Sequence, residues 1–464
     1  MAQEWHHVRL TNCFNGSLTV MPLQTGLNAN DLPGDTRMIA SFKKLWRDKR
    51  GNALVIAAAA LPLVLGSVGL ASDTIQWSLW KRQLQRTADS AALAGVFGKL
   101  ASQSVTNGAC SGSAPVSRAL TVNDINSRLG TTPGCVVQAP PTTGSWTASS
   151  FNAVRVTLTA QQSLPFSSLF ITSPTITAAA TAAMVQDGKY CVISLKNTVA
   201  TGLTFSGNPT VNLGCGMKTN AKGAAAVDPN GSPTITASPV AAVGQIASTT
   251  GFATGTTFQP YSPPQADPYA SLGVPTVPNG CNQSAIKGSA NSVTGNNGTF
   301  CFKDLTLTSG QSASFTDATI ILNGGDLTVN GGATLNCTRC TFILTTDATT
   351  ISSNSIGKVT LNGGATINMS PPTTGTYANL VIYKDRRALE CNNCNKINGN
   401  SSSSISGSVY IPSQEVQLSG DGGVSTNCIR LVAWTVAFNG NSTINNVCPG
   451  GPPSFDGYMV RLVE

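Results

Sequence analysis

The feature that most constrains this chain is a run of nineteen residues, 53–71, without a charged side chain. As a helix the run is about 28 Å long, which matches the roughly 30 Å hydrocarbon core of a bilayer. A cleaved signal peptide has a shorter apolar region of about 7–15 residues, although Gly69 and Ala71 would form an acceptable cleavage site. A buried soluble helix rarely runs this long without a polar position. We therefore predict a transmembrane helix over residues 52–71.

The charges beside this run predict its orientation. A basic cluster precedes the run, and Asp73 follows it before any further basic residue. Because cytoplasmic flanks carry the excess of Lys and Arg, the N-terminus is predicted to be cytoplasmic and the chain beyond residue 71 exported. The basic cluster consists of Lys43, Lys44, Arg47, Lys49 and Arg50.

The cysteines provide an independent indication of export. Of the 13 cysteines, only Cys13 precedes the predicted span. An even set beyond the span is typical of disulfides in an oxidising compartment, although sequence alone does not fix their pairing. Two Cys-x-x-Cys units would be a zinc signal in the cytosol, but disulfides are favoured outside it. The disulfide candidates are Cys110, Cys135, Cys191, Cys215, Cys281, Cys301, Cys337, Cys340, Cys391, Cys394, Cys428 and Cys448.

Charge and histidine content bear on function. Charged residues make up 10% of the chain, against about 25% in typical proteins. The net charge is +8, and residues 101–464 hold 17 basic and 14 acidic side chains, which gives no basic footprint for nucleic acid. Histidine occurs only at positions 6 and 7, so no exported histidine is available as a base or metal ligand. We predict no enzymatic activity, cofactor, metal site or small-molecule substrate.

One charged cluster is a weak candidate for carbohydrate chemistry. Asp385 and Glu390 lie close in sequence to Lys384, Arg386 and Arg387. Paired carboxylates beside basic residues would suit a polysaccharide-cleaving groove. A solvated loop is the favoured interpretation of this cluster.

A helix is predicted to continue beyond the span. Trp80 and Leu84 begin an apolar stripe that continues at three- and four-residue steps, while charged residues occupy the other face. This stripe would either pack on its own domain or, because its residues are small, let a neighbouring subunit approach closely. Docking on a neighbour is the favoured interpretation, with Ala88, Asp89, Ala91, Ala92 and Gly95 as the interaction candidates.

The segment that contains the span and this helix resembles a known family. The stretch "RDKRGN", the apolar span and "GLASDTIQWSLWKRQLQRTADSAALAG" are similar to the N-terminal segment of TadG-like proteins of the bacterial Tad (Flp) tight-adherence pilus system. Asp73, Leu84, Gln85 and the Ala-Asp-x-Ala-Ala-Leu-Ala-Gly block at 88–95 fill the positions of the family pattern. The resemblance implies a single-pass inner-membrane protein that acts with other pilus-assembly subunits.

Two departures from related patterns limit what the resemblance implies. Pilins of this system are cut after a glycine and carry glutamate at the fifth position beyond it, where this chain has Ile56 after Gly51. Some TadG-like proteins carry an Asp-x-Ser-x-Ser metal motif, and this chain has none. We therefore carry over neither processing nor a metal site.

Beyond residue 188 the sequence becomes repetitive. Four segments, starting at Leu203, Leu327, Val359 and Val436, share the form apolar-x-apolar-Asn/Ser-Gly-x-x-Thr-apolar-Asn, and a looser copy starts at Val416. Short strands around an Asn-Gly bend would suit either separate hairpins or a β-helix whose coils stack about 4.8 Å apart. Threonine and asparagine at matching offsets favour the β-helix, because stacked coils align like residues.

The predicted fold is mainly β, with a transmembrane helix that continues into an amphipathic helix, a small exported α/β domain and a β-solenoid. The predicted divisions are 1–37 as a disordered or misassigned extension, 38–51 as a basic cytoplasmic segment, 52–71 as the span, 72–188 as the TadG-like helix and small domain, 189–449 as the solenoid with a Pro-rich loop at 258–280, and 450–464 as a tail.

These features together predict a membrane-anchored structural or assembly component of a Tad-type pilus or a related envelope machine. A membrane-tethered carbohydrate-binding or carbohydrate-active β-helix is the alternative. The alternative would be favoured if Tyr261, Tyr269, Tyr383, Tyr410 or Trp434 clustered on one open face, because sugar-binding grooves use exposed rings.

Overall fold

The computed structural model describes residues 52–169, 173–287, 289–398, 403–420, 424–426, 428–446 and 454–464. The predicted segments 1–37 and 38–51, together with Cys448, lie outside the described residues. The described chain is mainly β with one long N-terminal helix, as predicted. It divides into two compact units, of which the first contains residues 52–74 and 165–169 and the second contains the rest.

The helices are α1 (Asn52–Leu100), α2 (Ala114–Val122) and α3 (Ile125–Leu129). Helix α1 has 49 residues and contains Pro62. Its first half is rich in Ala, Leu and Val and exposes most of these side chains, including Val55, Leu63 and Val68. By length and composition this helix can cross a membrane.

The region of residues 75–164 and 173–185, called the small domain below, contains the second half of α1. Its strands are β1 (Gly108–Ala109), β2 (Gly134–Gln138), β3 (Val154–Gln161) and the first part of β4 (Thr175–Ser194). Each of these strands pairs antiparallel with the next. Alternate side chains of β3 are buried, which is the pattern of a strand with one face on a core.

The remaining strands follow from β4 in chain order. The early block, residues 190–259, contains the end of β4, β5 (Leu203–Gly207), β6 (Thr210–Asn212), β7 (Gly216–Thr219), β8 (Val227–Gly231), β9 (Thr234–Thr236), β10 (Val240–Ala242) and β11 (Phe258–Gln259). The late block, residues 292–446, contains β12 (Ser292–Phe302), β13 (Leu305–Leu307), β14 (Ser312–Asn323), β15 (Leu327–Val329), β16 (Thr334–Thr338), β17 (Thr341–Thr345), β18 (Val359–Leu361), β19 (Thr366–Met369), β20 (Leu380–Lys384), β21 (Asn395–Asn398), β22 (Ser404–Ile405), β23 (Gly407–Ser419), β24 (Val424–Thr426), β25 (Ile429–Gly440) and β26 (Thr443–Asn446). The last strand is β27 (Phe455–Leu462).

The predicted tail at 450–464 contains β27, which pairs antiparallel with β4. The sequence "FDGYMVRL" does not alternate strictly between apolar and polar residues, so its periodicity does not identify a strand. Its partner strand, β4, has 20 residues and therefore extends from the small domain into the early block.

The two blocks form one stack of parallel strands, called the strand stack below. Neighbours are not in chain order, because β25 near the end of the chain pairs with β4 and β5 of the early block. One ladder has the spatial order β11, β10, β7, β4, β25, β23, β20, β17, β14 and β12. Many strands thus share one large sheet, and the β-solenoid stays a prediction.

The segments that were aligned by sequence are partners in these ladders. Leu327 pairs with Val359, and Val436 pairs with Leu203, so equivalent positions lie side by side. Asparagines at equal offsets form rows, in which Asn368 donates to Asn336 at 3.0 Å. The interior of the stack is filled by Leu, Ile, Val and Phe side chains from every block, since alternate residues of each strand face inward.

Candidate functional site

The loop at 165–169 is held against α1 by Asp73. This carboxylate is buried and accepts hydrogen bonds from the Phe166 amide at 3.0 Å and from the Ser167 hydroxyl at 2.6 Å. The ring of Phe166 lies against Gly69, where an added Cβ would overlap the ring. A buried carboxylate is costly without such donors. Asp73 therefore fastens this loop to the helix at the end of the predicted span.

The small-residue stripe of α1 is buried in its own domain. Ala88, Ala91 and Ala92 are 0% exposed. An added Cβ at Gly95 would be 2.7 Å from the Val154 side chain on β3. The favoured prediction, that this stripe is a free docking face, is therefore corrected, and the alternative of packing on its own domain is what the structure contains.

The physical reason for this burial is close packing. Alanine and glycine let α1 approach β3 and β4, where Val156 and Ala180 share its core. The fifth candidate, Asp89, is only half-buried and accepts a hydrogen bond from Gln85, whose amide also donates to the Ala179 carbonyl at 3.0 Å. Sequence could not separate this arrangement from docking, because both require the same stripe.

The structure contains disulfides at the predicted cysteines. The bonded pairs are Cys110–Cys135, Cys191–Cys215, Cys281–Cys301, Cys337–Cys340 and Cys391–Cys394. Cys428 is also disulfide-bonded, and the remaining candidate, Cys448, lies outside the described residues. In each Cys-x-x-Cys unit a residue with positive φ, Arg339 or Asn393, turns the backbone, which brings cysteines three apart within 5.9 Å of each other at Cα.

The Pro-rich loop, residues 258–280, crosses the strands of one ladder and is called the strap below. At its start the Ser262 amide donates to the Ala242 carbonyl at 2.9 Å. Midway the Tyr269 hydroxyl donates to Ser408 at 2.6 Å. Near its end Gly273 accepts a hydrogen bond from the Tyr383 hydroxyl at 3.1 Å. The strap therefore runs from the early block along the face of the late block.

The strap covers a cluster of tyrosines. Tyr383 and Tyr410 stack with ring centroids 5.2 Å apart, and both are fully buried. The Tyr410 hydroxyl donates to Asp267 of the strap at 2.8 Å, and burial is the main cause that raises its pKa. The Tyr269 ring meets Tyr410 edge-on at 5.2 Å. These rings cluster beneath the strap, so they do not form the open face that the carbohydrate alternative requires.

The charged cluster near Asp385 does not form a catalytic pair. Asp385 is buried and bonded to Arg387 at 2.7 Å and to the Thr345 hydroxyl at 2.7 Å. Burial would raise the pKa of Asp385, but the hydrogen bonds from Arg387 and Thr345 hold it below its ordinary value. Glu390 instead pairs with Lys196 at 2.7 Å. The two carboxylates thus have separate partners and separate structural roles.

Lys384 is the least expected member of this cluster. Its side chain is 0% exposed, and Nζ donates to Asn395 Oδ1 at 3.0 Å and to Gln414 Oε1 at 2.6 Å. Burial lowers its pKa from 10.5 to about 7. The burial of Lys384 was not predictable from the sequence, because the strand "LVIYK" is equally compatible with an exposed lysine.

Candidate metal ligands do not gather in the part of the chain that the structure describes. There, no three His, Cys, Asp or Glu side chains are placed to share a metal ion.

Comparison with known proteins finds a similarity over α1. No curated protein and no solved structure matches the chain. Residues 51–103 match the family model described as putative Flp pilus-assembly TadE/G-like. This match confirms the resemblance predicted from sequence and covers the whole of α1. Residues 51–103 are thus similar to the TadE/G-like proteins of Flp pilus assembly.

Proposed function

We propose that this chain is a single-pass, membrane-anchored structural or assembly component of a Tad-type (Flp) pilus or a related envelope machine. The observation that carries the proposal is the match of a pilus-assembly family to a helix that can cross a membrane. That family is structural rather than enzymatic. The proposed partners are the bacterial inner membrane and other pilus-assembly subunits.

The proposed topology has a cytoplasmic N-terminus and an exported remainder. The basic cluster before the span supports this orientation. Disulfides at Cys110–Cys135 and Cys281–Cys301 also support it, because such bonds persist in oxidising compartments. The proposed divisions remain the span at 52–71, the TadG-like helix and exported α/β region at 72–188, and a β-solenoid over 189–449.

Parallel ladders with matched sequence positions support the solenoid. Leu335 pairs with Ile367 and Asn336 pairs with Asn368, at a constant offset of 32 residues. Such a stack presents long, regular faces, which suit protein–protein or surface contact. We propose that these faces, rather than a catalytic groove, are what the ectodomain contributes to the envelope machine.

A fusion experiment tests the topology. We expect alkaline phosphatase fused after Glu464 to be active and green fluorescent protein at the same place to be dark, because only phosphatase matures outside the cytoplasm. The full-length protein should stay in the membrane pellet after carbonate extraction. Release of a soluble protein that begins near Ser72 would contradict the anchor and favour a cleaved signal peptide.

Assembly is tested by purification from native membranes. Tagged full-length protein should co-purify with the Flp pilin or the assembly ATPase of the same cell after mild cross-linking. A matched protein in which residues 52–74 are replaced by an unrelated membrane span should lose this association. Retention by the replaced version would place the contact outside residues 52–74, and absence of both partners from the native sample would contradict the proposal.

A further inference from the structure

Three arginines converge on one groove at the beginning of the small domain. Arg82 and Arg86 of α1 and Arg128 of α3 line a volume of about 420 Å³, together with Gln76 and Trp80. This set of residues is called the arginine groove below. Leu79, Arg82 and Arg86, which all line the groove, recur at steps of three and four residues, so one face of α1 forms a wall of the groove.

The positive charge of the arginine groove is not neutralised within the chain. Among the described residues, none of the three arginines forms an ion pair, and all three side chains are exposed. Three guanidinium groups around one concavity repel each other and attract an anion. Arginine binds phosphate oxygens with two parallel hydrogen bonds, which makes phosphate the anion that suits this groove best.

An apolar surface adjoins the arginine groove on its N-terminal side. Ile75 and Leu79 are 63% and 57% exposed and lie on the same face of α1 as Arg82 and Arg86. Helical side chains tilt toward the helix N-terminus, so Arg82 and Arg86 extend toward this apolar turn. Tryptophan beside basic residues is typical of the boundary between hydrocarbon and headgroups. The ligand is therefore expected to be an anion that carries an apolar part.

We propose that the arginine groove binds the phosphate diester of an anionic phospholipid, such as phosphatidylglycerol, in the membrane that α1 crosses. The proposal rests on the membrane anchoring given as the proposed function. It adds a specific lipid contact on the exported side, in which the residues of α1 lie five to fifteen positions beyond the predicted span. Bound lipid would fix the rotation and depth of α1, because the groove lies on one face only.

Native mass spectrometry of the full-length protein tests this proposal. Protein in mixed micelles is titrated with phosphatidylglycerol and with phosphatidylcholine, and the retained lipids are counted. We expect a roughly tenfold preference for phosphatidylglycerol, which the variant Arg82→Gln/Arg86→Gln/Arg128→Gln abolishes. The variant Arg82→Lys/Arg86→Lys/Arg128→Lys should keep an intermediate preference, because it retains charge but loses the bidentate geometry.

A matched variant controls for net charge. Lys303→Gln/Lys358→Gln/Lys396→Gln removes the same charge from exposed positions of the strand stack and should retain the full preference. Equal retention of both lipids by the wild type, or an unchanged preference in the arginine-to-glutamine variant, would overturn the proposal. Displacement of lipid by inorganic phosphate at equal concentration would overturn it in favour of a free-phosphate site. Failure of membrane anchoring would be separate, because the protein would then be soluble without detergent.

Discussion

The interior of the small domain and the interior of the strand stack differ in the size of the side chains that pack there. In the small domain, α1 packs through alanine and glycine, so backbones approach closely and Gly95 has no space for a Cβ. In the strand stack, large side chains such as Phe205, Phe342 and Phe438 fill an interior between parallel ladders. The first region is therefore sensitive to added volume, and the second is sensitive to lost volume.

The largest expected effect is at the contact between the early and late blocks. Phe438 of β25 stacks on Phe205 of β5 with ring centroids 4.9 Å apart, and the two residues are ladder partners. We expect Phe438→Ala to lower the free energy of unfolding by about 3–5 kcal/mol, because it leaves a cavity where the blocks meet. Denaturant unfolding of the detergent-solubilised protein, followed by circular dichroism, measures this loss.

The control for that experiment is Val199→Ala, since Val199 is 84% exposed and should change stability little. Equal stability of Phe438→Ala and the wild type would show that the two blocks do not depend on each other.

The second effect tests the small domain by adding volume. Ala91→Leu should lower the free energy of unfolding by about 1–3 kcal/mol, because the fully buried site has no space for three further carbons. Thermal unfolding of the full-length protein measures the change, with the exposed Ala101→Leu as the matched control. An unchanged melting temperature together with loss of pilus-assembly partners would restore the docking interpretation of this stripe.

The smallest effect is a pH dependence at Lys384. Its pKa is about 7 in the folded protein and 10.5 ordinarily, so the unfolded chain binds more protons between these values. Stability should therefore rise with pH across this window, by up to about 1.4 kcal/mol per pH unit. Lys384→Met should remove the rise, because methionine does not titrate.

Unfolding at pH 7.5 and pH 9.5 compares the wild type with Lys384→Met, and the exposed Lys396→Met serves as the control. If the free energy of unfolding changed with pH by the same amount in the wild type and in Lys384→Met, Lys384 would keep its charge in the folded protein.

Sequence predicted the features that depend on local spacing. The apolar run predicted the first half of α1, and equal offsets of Thr and Asn predicted which residues would be neighbours, such as Asn336 and Asn368. The proline content of the strap predicted a loop, because proline cannot donate to a ladder.

Features that depend on distant partners were not predictable from spacing. Asp73 is bonded to Ser167, 94 residues away, and nothing in either local sequence indicates the other. The order of the strands in the ladders was equally unpredictable, since β25 lies next to β4 in space although the two strands are far apart in the chain. An amphipathic stripe shows that a helix face is covered, but not what covers it.

The strap also limits how this protein can change its length. One end is held at β10, because Val240 pairs with Phe258, and beyond the other end the Cys281–Cys301 disulfide joins the chain to β12. These strands are close to the two ends of one ladder. Inserting a further repeat between them would move the two attached ends of the strap about 4.8 Å further apart. The strap would then have to lengthen in the same step. The length of the strap thus limits the number of repeats, and gain or loss of single repeats should be rarer here than in open repeat arrays.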